Sequence, residues 1–508
     1  MSRADRGKCA EFVRIDPQVA VRASVDAAGI LSPAAMPEEI QNLIGGKSAP
    51  AESGEWLEKP RPADGTVLCK VAKSGAADVA AAVEAACAAQ PEWAERTPVA
   101  RGDVVRELAL LLRDRREEAS EIVVAETGKP RELALGETDA AVEMGLFVAG
   151  EGRRSYGRTT TASMPHRTVL TVRQPVGVAG LVTSFNTPLP NIAWKAFPAV
   201  FCGNATVAKP SEHTPVSARY FGELALEAGV PPGVLNVVQG LGPEAGAALV
   251  EHPDVDLVSF TGSAETGRWI NERAGARLAK VCLELGGKNA LVVCDDADLE
   301  NALRWSLASA FSNAGQRCAS ASRIVVFDSV YEAFGEQLVS RARRLAPEPV
   351  ISEASLDRLL DGVRRAVEGG ATLLTGGERL DGQGFHLAPT LLENVAPEAE
   401  ISRTELFGPV AILYRAPTLD DAIALVNDTP YGLTAAIHTA SIHRAMRFAD
   451  AVRAGIVVVN GGTHGSEPHM GFGGVKDSGT GWREAGIEAL DVYSDWKTVN
   501  LITDPTRT

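Results

Sequence analysis

A chain of 508 residues exceeds what one hydrophobic core serves, so two or three domains are expected. Its 45% hydrophobic and 23% charged residues exclude wholesale disorder. A formal net charge of -15 disfavours nucleic acid and anionic membrane surfaces as partners.

The seven cysteines, at 9, 69, 87, 202, 282, 294 and 318, are scattered, odd in number and without a Cys-x-x-Cys pair, which reads as reduced thiols. No apolar run reaches the roughly 18 residues of a membrane span. Arg3, Asp5, Arg6, Lys8, Glu11 and Arg14 interrupt any signal-peptide core. A soluble cytoplasmic protein is expected.

Residues 1–45 carry mixed charge, Pro17, Pro33 and Pro37 but no motif, and read as an extension, either an arm against a neighbour or a loose tail. A helix is expected from Asp78, with Asp as N-cap and Val79, Val83, Ala86 and Cys87 on one face. A second is expected from Asp103, with Val104, Leu108, Leu111 and Leu112 in a stripe and Arg113, Arg115 and Arg116 suiting the dipole at its end. A third spans about 132–149. Residues 152–173 turn Thr-rich and weakly alternating; paired with the alternating stretch 489–499 they predict a small separate sheet.

Strands and helices then alternate: strand 177–183, helix 192–201, strand 205–208, helix 217–228, strand 234–238, helix 245–251 and strand 257–260. That βαβ order predicts a parallel doubly wound sheet with ligands at the carboxyl ends of its strands. After Gly287 the alternation resumes with strand 290–294, helix 299–314, strand 322–327 and helix 330–345, a second α/β domain with a cleft against the first.

Five stretches carry chemistry. Val182-Thr183-Ser184-Phe185-Asn186-Thr187-Pro188 is a strand and a turn; the Asn186 amide can donate to a developing oxyanion, or serve only the turn. Val207-Ala208-Lys209-Pro210-Ser211-Glu212 ends a strand with one cation and one carboxylate. Val258-Ser259-Phe260-Thr261-Gly262-Ser263-Ala264-Glu265-Thr266-Gly267 is a buried strand, a glycine turn and a helix start, a geometry that offers backbone N–H groups to a phosphate and that other helix starts share. Leu283-Glu284-Leu285-Gly286-Gly287-Lys288-Asn289 places a carboxylate at a strand end, where partial desolvation would make it a general base and full solvation would not. Finally, Ser309-Ala310-Phe311-Ser312-Asn313-Ala314-Gly315-Gln316-Arg317-Cys318-Ala319-Ser320 sets a thiol beside a cation and small residues, which favours a reactive thiolate; a buried, inert cysteine is the alternative.

In this order and at this spacing, the stretches resemble the aldehyde dehydrogenase superfamily over about residues 45–505. Glu405-Leu406-Phe407-Gly408-Pro409-Val410 and Gly471-Phe472-Gly473-Gly474-Val475-Lys476-Asp477-Ser478-Gly479 resemble two further family signatures. The resemblance implies an α/β fold. It comprises a Rossmann-type dinucleotide-binding domain (46–151 and 174–286), a catalytic domain (287–486) and a β oligomerisation arm (152–173 and 487–505) that joins subunits into dimers or tetramers. It implies NAD-dependent oxidation of an aldehyde to a carboxylic acid, with Cys318 as nucleophile, Asn186 as oxyanion donor and Glu284 activating the hydrolytic water. Lys195 and Glu484 match a proton path, and either equally fits a surface or structural salt-bridge partner. Ser184, Phe185, Lys209, Ser211, Glu212, Gly242, Thr261, Gly262, Ser263, Gly267, Leu285, Glu405 and Phe407 match cofactor positions. A carboxylate at Glu212 accepts from ribose hydroxyls and repels a 2′-phosphate, which favours NAD over NADP. No metal is needed for this chemistry. Glu284 favours hydrolysis over acyl transfer to coenzyme A, the alternative outcome; an inactive binding or scaffold protein is a third reading, which the joint presence of Cys318, Glu284 and Asn186 disfavours.

The chain departs from the family pattern in several places. Ser184-Phe185 stands where Pro-Trp is usual, and Gly471 where a proline is common. An extra residue lies near Trp482, and the connection 346–354 is short. The run His464-Gly465-Ser466-Glu467-Pro468-His469 has zinc-ligand residue types, but Gly465 and Pro468 break helical ligand spacing, so a substrate-mouth loop is expected. That loop and the ending Gly481-Trp482-Arg483-Glu484-Ala485-Gly486 resemble the branch acting on semialdehydes of small keto- or dicarboxylic acids. Arg153, Arg154 and Arg317 are candidate carboxylate ligands, or ordinary solvated or structural arginines.

Overall fold

In the computed structural model, which describes residues 36–506, the two runs of alternating strands and helices form two seven-stranded sheets. Residues 1–35, most of the extension read from sequence, lie outside the described residues. The extension as drawn reaches into the fold: Asn42–Ile44 and Lys47–Ala49 close one edge of the first sheet, and Glu39–Ile40 pairs with Val67–Ala72 in a small three-stranded sheet.

The first sheet runs Lys280–Glu284, Leu257–Thr261, Val178–Val182, Ala205–Lys209, Leu235–Val237, Asn42–Ile44 and Lys47–Ala49, the first five parallel. Val178–Val182 and Ala205–Lys209 are buried at every position, as apolar strands covered by helices on both faces must be. The chain order reverses between Val178–Val182 and Leu257–Thr261. The turns carrying Asn186 and Ser263 therefore leave the sheet on either side of the switch point, where doubly wound sheets open a crevice.

The second sheet runs Thr372–Thr375, Thr390–Glu393, Val410–Ala416, Ala321–Phe327, Asn289–Val293, Thr434–His438 and Ile456–Val459, parallel except for the first strand. Glu284 ends the last strand of the first sheet and Asn289 begins a central strand of the second, so only residues 285–288 bridge the two. The carboxyl ends of one sheet thereby face the amino end of Ala321–Phe327, just before which Cys318 lies. Ser494–Ile502, Arg167–Pro175 and Thr159–Thr160 form a separate antiparallel sheet exposing Trp496, Leu501 and Ile502.

Several helix ends differ from the sequence reading. Asp78 is not an N-cap: the helix Ala76–Glu95 starts at Gly75, and Asp78 caps from its third position by accepting the Gly75 N–H at 2.9 Å. The helix expected from Asp103 begins at Pro98, because Thr97 accepts from the Ala100 N–H and Pro98 pre-sets the first turn. Residues 489–492 form a helical turn, not strand, since the Ser494 hydroxyl and the Ala489–Val492 core contacts close it before the arm begins. The helix expected over 299–314 stops at Phe311. Among the described residues, no helix is long and apolar enough to cross a membrane.

Candidate active site

The early stop at Phe311 shapes the nucleophile loop. Asn313, Ala314 and Gly315 all have positive φ (57°, 51° and 65°), a conformation costing roughly 1–3 kcal/mol for each non-glycine residue. Tertiary bonds hold it. Asn313 Nδ2 donates to the Asn186 carbonyl at 3.1 Å and to the Gln316 carbonyl at 3.2 Å, and the Ala314 N–H donates to Glu348 Oε2 at 3.0 Å. A Cβ at Gly315 would lie 2.2 Å from the Gly408 carbonyl, so the loop fits against the Glu405 to Val410 motif only as glycine. On the far side of the sulfur, Asn289 Nδ2 donates to the carbonyls of Cys318 (2.7 Å) and Ser320 (2.9 Å), and the Thr463 hydroxyl donates to that of Ala319 at 2.6 Å.

Cys318 is only half-buried as a residue, yet its sulfur is removed from water. Desolvation, then the Glu405 and Glu284 carboxyls, push its pKa up to about 12 against the opposing charge of Arg317. The thiolate expected from the neighbouring cation is thus corrected: burial outweighs one cation, and the resting sulfur is a thiol. Glu284 is 3% exposed and, among the described residues, neither carboxyl oxygen has a hydrogen-bond partner. Burial first, and Glu484 second, raise its pKa well above the carboxylate range, so it also rests neutral. With both groups protonated at rest and within electrostatic reach of each other, Glu284 can act as a base only after it has lost its own proton.

Asn186 is buried and tied by its backbone, whose carbonyl accepts from Lys129 Nζ at 2.7 Å as well as from Asn313. Lys129, 2% exposed, is paired with Glu137. Asn191 Nδ2 donates to Asn186 Oδ1 at 3.2 Å, which occupies the acceptor end of the amide and leaves its N–H2 as the free donor. Asn313 thus connects the donor-bearing turn of the first sheet to the nucleophile loop of the second.

Behind Glu284, Lys195 is fully buried against Glu484 and donates to the Ser259 hydroxyl at 3.1 Å, which in turn lies 3.2 Å from Glu484 Oε1. Both Lys195 and Glu484 act electrostatically on Glu284. A surface salt bridge is therefore excluded for the pair.

The crevice at the switch point gathers the remaining residues read from sequence. Lys209 is buried 3.7 Å from the carboxylate of Glu212, whose side chain is 35% exposed, and Ser211 caps its own turn by accepting the His213 N–H. Gly242 opens the turn Gly242–Gly246, whose last residue packs toward the Lys209 stem. Ser263 caps the helix Ala264–Ala276 through the Thr266 N–H; Gly262 precedes it, and Gly267 packs on Leu285 with no room for a Cβ. The Thr261 hydroxyl is buried and has no hydrogen-bond partner among the described residues. Nearer the sulfur, Ser184 is half-buried, and Phe185 stands edge-on to Phe407 at 5.6 Å and to His213 at 5.7 Å. Glu405 accepts the Gly287 N–H at 3.0 Å and is pushed up to about 7 by burial.

At the mouth, His464 stands against Trp305 with ring centroids 6.2 Å apart, and burial with Arg317 drives its pKa down to about 3. Among the described residues no three metal-ligand side chains gather, and His469 instead lies 3.6 Å from Glu467. Arg153 and Arg154 are exposed, with Arg154 held by Glu151; Arg317 acts on Cys318 and His464 and keeps a buried Nε without a partner.

Residues 49–499 match the model of the aldehyde dehydrogenase family. The chain belongs to the aldehyde dehydrogenase family. It is 36% identical to the alpha-ketoglutaric semialdehyde dehydrogenase of Bacillus subtilis strain 168 over 473 residues, 90% of this chain and 97% of that protein. It is 37% identical to the NADP(+) succinate-semialdehyde dehydrogenase GabD of Escherichia coli K12, over 90% of this chain and 96% of that one. The structure superposes on an NAD-dependent aldehyde dehydrogenase from Sinorhizobium meliloti with a TM-score of 0.90 at 35% identity, covering 94% and 99% of the two chains. It superposes on betaine aldehyde dehydrogenase from Staphylococcus aureus in complex with NAD+ with a TM-score of 0.90 at 32% identity, covering 93% and 96%.

As an aldehyde dehydrogenase the chain is an oxidoreductase acting on aldehydes. Several residues that build this aldehyde dehydrogenase site carried no role in the sequence reading, Asn313 and Thr463 among them. Asn289 was visible inside a quoted motif, but its grip on the Cys318 carbonyl was not. Lys129 sits in Thr127-Gly128-Lys129-Pro130, which reads only as a helix stop, while Gln316 and Glu348 act through contacts that spacing does not reveal.

Proposed function

We propose that this aldehyde dehydrogenase oxidises a small semialdehyde to the corresponding dicarboxylate with NAD, by way of a thioester on Cys318 that water hydrolyses. The observation that carries this reading is that Cys318 and Glu284 stand within electrostatic reach of each other, with Asn186 tied to the nucleophile loop through Asn313. The Cys318 sulfur adds to the aldehyde carbon as its proton leaves to water, and the new oxyanion takes hydrogen bonds from the Asn186 amide and the Cys318 N–H, each worth about 3 kcal/mol in such sites. A bound oxidised nicotinamide supplies the hydride acceptor. Loss of the hydride from the thiohemiacetal leaves the thioester. Glu284, once its own proton has left by way of Lys195 and Glu484, then takes a proton from water, which attacks the acyl carbon and releases the acid and the thiol. Lys195 and Glu484 pass the collected proton onward.

The crevice residues fit a dinucleotide. Lys209 and Glu212 would hold the adenosine ribose, the Gly262–Ser263 turn and the Thr261 hydroxyl the pyrophosphate side, and Glu405 and Phe407 the nicotinamide ribose and ring. The Glu212 carboxylate favours NAD, although one relative is named for NADP(+). Arg317, which acts electrostatically on Cys318 and keeps a buried Nε without a partner among the described residues, suits the distant carboxylate of a semialdehyde, and the names of two relatives agree with that substrate class. The exposed apolar residues on Ser494–Ile502 support assembly into a dimer or tetramer through the arm, and the free thiols support a cytoplasmic setting.

The test is a panel of aliphatic, aromatic and carboxylate-bearing aldehydes with NAD or NADP, followed by reduced-nucleotide absorbance, with and without coenzyme A. Highest kcat/KM for a short semialdehyde with NAD, and no acyl-coenzyme A product, is expected. A kcat/KM for NADP above that for NAD, or preference for uncharged aldehydes, would overturn the corresponding part.

A further inference from the structure

The connection 346–354, short against the family pattern, runs beneath the nucleophile loop and brings Glu348 to it. The segment grips the loop at two places. Glu348 Oε2 accepts the Ala314 N–H at 3.0 Å, and the Gln316 amide is held from both ends, its Oε1 by the Ile351 N–H at 2.9 Å and its Nε2 by the Pro349 carbonyl at 3.4 Å. The segment is itself pinned: a Cβ on Gly128 would come within 2.4 Å of the Pro349 ring, and Pro349 pairs with His386. Glu348 is half-buried, and no step of the proposed reaction uses it.

We propose that Glu348 is a positioning residue: its carboxylate fixes the left-handed corner Asn313–Ala314 and the setting of Arg317, and through them the presentation of the Cys318 sulfur. The corner needs such a hold. Two non-glycine residues with positive φ persist only where surrounding bonds over-determine them, and a charged acceptor on a backbone N–H is about twice as strong as a neutral one. The cations facing Glu348 are Arg317, from the loop itself, and Lys129, which Glu137 already neutralises. Around the sulfur stand Glu405 and Glu284 on one side of the balance and Arg317 on the other. Desolvation pushes the Glu348 carboxyl up to about 7, with Arg317, the Ala314 N–H, Lys129 and the Asn313 N–H opposing it. Its charge, and with it the counter-charge to Arg317, therefore changes near neutral pH: the acid is charged above about pH 7 and neutral below.

The inference rests on Cys318 being the nucleophile, so the test reads the sulfur directly. Iodoacetamide alkylation of Cys318, located by peptide mass, is followed against pH in the full-length protein for wild type, E348Q and E348A, alongside kcat and KM at pH 8. Wild type is expected to show an inflection near pH 7 that is smaller in E348Q, where Glu405, itself pushed up to about 7, still titrates near the sulfur. E348A, which also loses the acceptor for the Ala314 N–H, is expected to lose kcat about tenfold with a smaller change in KM, and more than E348Q loses. If E348A does not fold, the E348Q profile decides alone. An alkylation profile of E348Q superimposable on wild type, or wild-type kcat in E348A, would overturn the proposal. Turnover surviving in Cys318→Ser would instead remove the nucleophile assignment and leave the alkylation result standing.

Discussion

Truncation of Asn186 to alanine separates catalysis from folding unusually well at this site. Among the described residues the Asn186 side chain makes one bond, accepting from Asn191 Nδ2, and that amide keeps the Thr187 carbonyl at 3.0 Å and the Thr187 hydroxyl at 2.9 Å when Asn186 is cut back. The bonds that place the turn, from Lys129 and Asn313, go to the backbone carbonyl of Asn186 and survive the substitution. The folded state should therefore lose only about 1 kcal/mol. The transition state loses an oxyanion donor, about 3 kcal/mol, which is a fall in kcat of roughly 10²–10³. Because the oxyanion exists only after attack, KM should move far less than kcat. Steady-state kinetics together with thermal unfolding measures both sides. A kcat within about threefold of wild type in a folded protein would refute the oxyanion role.

Two further outcomes follow from the charges. With burial and two carboxyls holding the Cys318 thiol up to about 12, the thiolate fraction in ligand-free protein should rise with pH, and alkylation of Cys318 by iodoacetamide should climb about tenfold per unit from roughly pH 8 to 10. A plateau already below about pH 8 would mean that Arg317 wins after all. Lys195→Met strands Glu484 in a site where it is 5% exposed, so the folded state should lose about 3–5 kcal/mol, and adding Glu484→Gln should restore most of it. Additive losses in the double variant, read by thermal or urea unfolding, would show the pair to be uncoupled.

The elements legible in the sequence were those whose signal is local. Val178–Val182 and Leu257–Thr261 are short apolar runs bounded by turn residues, and their order with the intervening helices gives the doubly wound sheet and its switch point. Cys318 and Glu284 stand out because each combines a reactive group with a glycine two or three residues away. What the sequence hides is set by distant partners. Ser309 to Ala314 has ordinary helix composition, and only the Asn186 carbonyl, Glu348 and Gly408 make it turn left-handed at Asn313. Asp78 and Asp103 are sound capping residue types, but Gly75 and Thr97 lie earlier and take the cap. The sign of the Cys318 shift fails for a similar reason: Arg317 is adjacent in sequence, whereas Glu405 and the packing that removes water come from far along the chain.

The central claim is an acyl group carried on one sulfur and released by one acid. Glu284→Gln, mixed with saturating aldehyde and NAD, quenched within milliseconds and digested for mass spectrometry, tests it most directly. An acyl mass on the peptide containing Cys318, persisting while reduced nucleotide appears as a single burst, is the predicted result. Undiminished turnover in that variant, or an acyl mass on another residue, would contradict it.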